Sequence, residues 1–304
     1  MQRVRQQVGL AQQISQKWNG EGITAAILDT GICLHPDFDN RILLFRDFVN
    51  RREADKCYDD SGHGTHVAGC LAGNGRLSEG KYAGIAPKAG LVIGKVLDRK
   101  GNGSVTSMLE GIEWILDNKD RYKIRILNIS VGVGNIEDEE FEKKLYHAVE
   151  YLWKQGIVVV AAAGNNGPAP MTISPIATSQ YVITVGCHDG NLKSDHLCEH
   201  YSGRGPTKSS IKKPDIVAPG TDIISCNGAL KWNGRKYLFP YIKKCGTSMA
   251  TPIVAGACAL VLQKKESMTN EEVKRKLLNS ADDLNEAWSK QGWGMLNIGR
   301  LLKN

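Results

Sequence analysis

Ser248 lies in the stretch GTSMATPIVAGA, at the point where a run of small and apolar residues is expected to begin a buried helix. A hydroxyl there can cap the helix by accepting a free backbone N–H. It can also be a nucleophile held at the positive end of the helix dipole. The nucleophile reading needs a base, an orienting acid and an oxyanion donor elsewhere in the chain. His63 stands in GHGTHVAG, Asp29 closes the apolar run in ILDTGI, and Asn165 follows the apolar run in AAAGNNG. Alone, Asp29 reads as an Asx-turn acid. His63 and His66 have the spacing of a metal pair, but no glutamate separates them as in a zinc-protease helix, so one is expected to face a cleft and the other to pack inward. Taken together, Asp, His, Asn and Ser form a set. Imidazole takes the serine proton and returns it to a leaving group. The carboxylate fixes the imidazole tautomer, and the carboxamide donates to a developing oxyanion.

These residues need a scaffold that brings chain segments 219 residues apart to one edge. Short β-branched runs at 23–29, 91–98, 124–131, 157–164 and 181–187 are nearly continuous in apolar character, as in parallel strands covered on both faces. Helical periodicity fills the intervals at 63–73, 105–118 and 137–155, and again at 248–264 and 270–280. Strand–helix alternation predicts an α/β fold, a doubly wound, mostly parallel sheet with helices on both faces. Asn233–Gly234 between two strand-like runs predicts a small β-hairpin with a tight turn. Ligands bind at the carboxyl ends of strands in such a sheet, and that is where Asp29 and Asn165 fall. No composition break or repeat divides residues 1–304, so a single domain is expected.

The blocks DTGI, GHGTHVAG, AAAGN and GTSMATPIVAGA resemble the signature blocks of the subtilisin-like serine proteases, the subtilases. The order Asp, His, Ser also matches. AGNGRLSEGKYAGIAP, SGRGP and KPDIVAPG look most like the intracellular, AprX-like branch. The resemblance implies that Asp29 orients, His63 is the general base, Ser248 the nucleophile, Asn165 the oxyanion donor and His66 a structural histidine. It further implies that an extended peptide pairs with two strand edges, Gly101, Asn102 and Gly103 on one side and Ser130, Val131 and Gly132 on the other. Ala162, Ala163 and Gly164 would complete the walls of an apolar slot, favouring a large hydrophobic residue before the scissile bond. Val133 replaces a glycine common in relatives, and Asp98 and the acidic run 137–140 read as solvated surface. Polypeptides are the implied substrates and no cofactor is needed for catalysis. Secreted members hold a structural calcium in the loop after His66; here that loop is glycine-rich and basic, and Asp37 resembles one ligand without evident company. The alternatives are a non-catalytic subtilase-fold binding or signalling protein, and an esterase using the same residues.

A net charge of +7 is scattered without an aromatic-interleaved stripe, which speaks against nucleic-acid binding. The longest apolar runs are too short to span a bilayer. MQRVRQQVGLAQQISQKW has no continuous apolar core and reads as an amphipathic helix, so no signal peptide is visible. A cytoplasmic location with reduced thiols is therefore expected; a pre-pro segment outside this sequence would make it secreted, and Cys226 and Cys245 could then bridge. Cys187, His188, His196, Cys198 and His200 lie within one short stretch. Zinc binding and a polar surface loop both fit it. Cys245 precedes the nucleophile by three residues. Lys243, Lys244 and the helix start would lower its thiol pKa, whereas burial would raise it.

Overall fold

The structure is a computed structural model, and it describes residues 1–50, 56–130, 139–190, 192–194 and 196–303. Two short helices, α1 (Gln2–Gln7) and α2 (Gln12–Lys17), precede the first strand, β1 (Thr24–Asp29). The chain continues through β2 (Ile42–Asp47), α3 (His63–Ala72), β3 (Gly90–Lys95), α4 (Val105–Tyr122) and β4 (Ile124–Ile129). Next come α5 (Glu139–Lys154), β5 (Val158–Ala162), β6 (Ile183–Cys187), β7 (Ile216–Ala218) and β8 (Ile223–Cys226). A small ribbon, β9 (Lys231–Trp232) with β10 (Tyr237–Leu238), leads into β11 (Tyr241–Lys244). The chain ends with α6 (Thr247–Lys264), α7 (Asn270–Asn279), α8 (Trp288–Gln291) and α9 (Ile298–Leu301).

Seven strands form one sheet in the order β2-β3-β1-β4-β5-β6-β7, and every neighbouring pair is parallel. Alternation along the strands divides two apolar cores. Ala25, Ile27, Val158 and Val160 face the core shared with α3 and α6. Ala26, Leu28, Val159 and Ala161 face the one shared with α4 and α5. The helix α6 is buried nearly all round, from Met249 to Leu262, as its apolar composition on every face requires. No helix among the described residues is long and apolar enough to cross a membrane.

The doubly wound sheet agrees with expectation; two details differ. Periodicity missed β2, an edge strand with half-exposed positions, and β7, only three residues long. The hairpin turn is centred one residue later than expected: the Asn233 N–H donates to Lys236 O at 3.2 Å, which leaves Gly234 and Arg235 at the tip. Asn233 sits at the turn's first corner, where its Oδ1 accepts the N–H groups of Arg235 and Lys236.

Candidate active site

The carboxyl edge of β1 and the first turns of α3 and α6 make the site. β1 ends in Asp29, fully buried. Its Oδ1 accepts the Thr30 N–H at 2.7 Å and lies 2.7 Å from His63 Nδ1. Oδ2 is buried without a partner among the described residues. Such a carboxylate gains most from a cation beside it. Burial works against a charged His63, but the Asp29 charge and its hydrogen bond outweigh burial, and the imidazole pKa is raised above 6.5.

A second buried acid, absent from the sequence reading, places His63. Asp59 accepts from Thr30 Oγ1 (2.8 Å), Gly62 N–H (2.8 Å), Thr65 N–H (2.8 Å) and Thr65 Oγ1 (2.6 Å). Burial raises its pKa, and these donors more than reverse that to leave it below the usual carboxylate value. Thr30 Oγ1 in turn accepts the Gly64 N–H at 2.9 Å. A Cβ on Gly64 would sit 2.2 Å from the Gly31 carbonyl oxygen and 3.2 Å from Asp29 Cβ. Only glycine allows α3 this close to β1. Lys95 is the other unforeseen anchor. Its buried Nζ donates to Thr30 O, Leu97 O and Asp60 Oδ1, each at 2.8 Å. A carboxylate three residues before the first glycine of SGHG, and a lysine closing an apolar strand, were the available signals.

His66 packs inward as expected. Its Nε2 lies 3.0 Å from Ile223 O and 3.1 Å from Ile242 O. Burial, the main cause, pushes its pKa down to about 3.

α3 packs along α6. The N-cap of α6 is Gly246, at φ 135°, and no side chain caps it. Ser248 is therefore the second helical residue and not a cap, which removes the capping alternative. Its hydroxyl makes no hydrogen bond among the described residues, to His63 included, and such bonds often tighten only with substrate bound. The Ser248 N–H lies in the first turn, where helix amides lack an internal acceptor. Asn165 reaches the same turn: its Oδ1 accepts from Thr247 N and Thr247 Oγ1, both at 3.1 Å. The Asn165 amide nitrogen lies 3.5 Å from where a Gly246 Cβ would stand.

The expected substrate edges are partly described. Gly101 and Asn102 are exposed, in a turn closed by Asp98, whose carboxylate accepts the Lys100 and Asn102 amides. Gly103 bridges to Leu97. Ser130 is buried, its Oγ bonded to Asn128 Nδ2. Val131, Gly132, Val133, Glu137 and Asp138 lie outside the described residues. Ala162 and Ala163 are buried at the end of β5, and Gly164 takes φ 94°.

In the Cys187–His200 stretch, Cys187 faces Asp189 Oδ2 and His188 faces Glu199, while His196 and His200 are exposed. These residues form no metal-compatible cluster among the described ones; the cluster present is His35, Asp37 and Cys226, with ligand atoms within 4.8 Å of one another. Asp37 accepts from Leu77 N–H (3.1 Å) and Tyr241 Oη (2.8 Å), and His35 Nε2 lies 2.8 Å from Pro240 O. A calcium cage of several free oxygens does not fit residues so engaged. Cys226 pairs with Tyr241 at one end of the β8–β11 ladder, whereas Cys245 lies beyond Lys244 at the other. Four residues of strand, ~13 Å, separate them, too far for a disulfide. Burial and Asp222 push the Cys245 thiol pKa up, and Lys243 pairs with Asp222.

The chain is 43% identical to the serine protease AprX of Bacillus subtilis (strain 168) over 280 residues, 88% of this chain and 63% of that protein. It therefore spans less than two thirds of AprX. It is 35% identical to subtilisin Savinase of Lederbergia lenta, covering 91% of this chain and 90% of that one. The crystal structure of a cold adapted subtilisin-like serine proteinase superposes with a TM-score of 0.71 at 26% identity, over 92% of this chain and 90% of that one. The model of the subtilase family, peptidase S8, matches residues 20–294, and the chain belongs to that family of serine endopeptidases.

Proposed function

We propose that the chain is a single peptidase domain that cleaves extended polypeptides through an acyl-enzyme on Ser248. The observation that carries this reading is the 2.7 Å contact between buried Asp29 and half-buried His63 beside an α6 first turn whose serine is not used as a cap. Ser248 Oγ attacks the scissile carbonyl carbon while His63 takes its proton. The oxyanion is met by Asn165 Nδ2 and the Ser248 N–H. Collapse breaks the C–N bond, His63 gives the proton to the leaving amine, and the acyl-enzyme remains. Water then repeats the sequence with His63 as base, releasing the acid and restoring Ser248.

Asp29 holds the imidazole with Nδ1–H toward itself and stabilises the imidazolium. The reading routes no step through a metal. A hydrophobic residue before the scissile bond fits the apolar ends of β4 and β5. A cytoplasmic location belongs to the same proposal and is supported by the free state of all eight cysteines. The test is labelling by an active-serine phosphonate together with mass-spectrometric mapping of cleaved peptides. Label on Ser248 and cuts after large apolar residues are expected. An unlabelled, inactive protein would favour the binding-module alternative instead.

A further inference from the structure

A general acid protonates the leaving amine, so the leaving half of a substrate departs on the imidazole side of the nucleophile. The chain segment on that side is unusual. Gly62, the residue before His63, packs against Gly228, whose Cβ would stand 2.8 Å from Gly62 Cα. Gly228 opens the β9–β10 hairpin, and that hairpin runs through β11 directly into Gly246, Thr247 and Ser248. The hairpin is thus continuous with the catalytic cleft at both ends.

Its base is rigid. Asn227 is buried and donates its N–H to Pro240 O at 2.9 Å and its Nδ2 to Phe239 O at 2.8 Å, while its Oδ1 accepts the Ala229 N–H. Cys33 Sγ donates to Gly228 O at 3.2 Å. The outer part is exposed and chemically distinctive. Trp232 is 58% exposed and Phe239 69%, and the Trp232 and Tyr237 rings lie 4.9 Å apart. Residues 223–248 contain five lysines and arginines and no aspartate or glutamate. Of these, Lys231, Arg235 and Lys236 are exposed and have no carboxylate partner among the described residues. Aromatic surface left in water beside unpaired cations suits an apolar or aromatic side chain flanked by carboxylates.

Resting on the peptidase reading above, we propose that the β9–β10 hairpin is a recognition site for the leaving-group half of the substrate. It would select an acidic segment carrying an aromatic residue. From Gly228 to Trp232 the chain reaches at most about 14 Å (~3.5 Å per residue), so the hairpin meets roughly the third to fifth residues past the scissile bond. The anchored base means that little order is lost when the segment binds.

The test uses internally quenched peptides identical through the second residue past the cut. One series then carries Glu-Phe-Glu, the other Lys-Ser-Lys. A p-nitroanilide substrate ending at the scissile bond has no leaving-side residues and reports the catalytic centre alone. Wild type is expected to prefer the Glu-Phe-Glu peptide by about tenfold or more in kcat/KM, the size of one good aromatic contact plus one ion pair. Trp232→Ser with Tyr237→Ser, and separately Lys231→Glu with Lys236→Glu, are expected to shrink that preference to under about threefold. Anilide turnover should stay within about twofold, which also shows that the variants fold. Equal cleavage of both peptides by wild type, or a preference that survives both double variants, overturns the proposal. Failure of the peptidase reading looks different: the anilide itself would not be turned over.

Discussion

Asn165 Oδ1 accepts hydrogen bonds from both the N–H and the Oγ1 of Thr247, each at 3.1 Å. Thr247 thereby fixes which end of the carboxamide faces the nucleophile, since an amide whose oxygen is held must present its nitrogen. Asn165→Ala is expected to lower kcat by roughly 10²–10³ with little change in KM, because the donor acts on charge that exists only in the transition state. Thr247→Val keeps the main-chain bond and loses one side-chain bond. It should lower kcat roughly 2–10-fold, the worth of one hydrogen bond. Steady-state kinetics decide; a defect mainly in KM contradicts the assignment.

Ser248→Ala should abolish peptide turnover while leaving fold and peptide binding intact. Ser248 supplies no cap, the N-cap position being Gly246, so the stability cost should stay within ~0.5 kcal/mol. Denaturant unfolding and binding of an uncleaved peptide check the two halves. Retention of most activity by the purified variant would remove the nucleophile assignment.

The His63 imidazole must be neutral to act as base. Its pKa is raised above 6.5 because Asp29 outweighs burial, so kcat/KM should rise with pH through a midpoint above 6.5. Asp29→Asn should lower that midpoint and reduce kcat on the order of 10⁴. A flat profile between pH 5 and 8 would mean another base or a limiting step that is not chemical.

His66 makes the opposite contribution to stability. Its folded pKa, about 3, lies below the unfolded value near 6.5. Its contribution is thus complete above pH 6.5 and is lost as pH falls toward 3. At pH 5 the loss is about 2 kcal/mol relative to pH 7. His63, with a raised pKa, favours the folded state as pH falls and partly offsets this. In a Ser248→Ala background, which prevents self-digestion, the additional His66→Gln change should lower stability at pH 7. It should also flatten the fall in unfolding free energy between pH 7 and 5. An unchanged acid slope would show that His66 does not carry it.

The sequence by itself determined the parallel sheet, because β1, β3, β4, β5 and β6 are apolar enough to be buried on both faces. It also determined the candidate residues, because Asp29 and Asn165 end such runs and His63 and Ser248 sit where glycine-flanked helices begin. It could not give β2 or β7, whose edge position or brevity weakens the periodic signal. It left open whether Ser248 was a cap, which depends on the backbone angles of Gly246. The partners that hold the site were set by tertiary structure alone. Asp59 meets Thr65, six residues on in the first turn of α3, but meets Thr30 across 29 residues, Lys95 reaches Thr30 across 65, and Asn165 finds Thr247 across 82. Nothing local in the chain encodes such pairs. They arise when the sheet brings the carboxyl ends of its strands to one edge, where buried polar groups must find partners or bear the cost of desolvation.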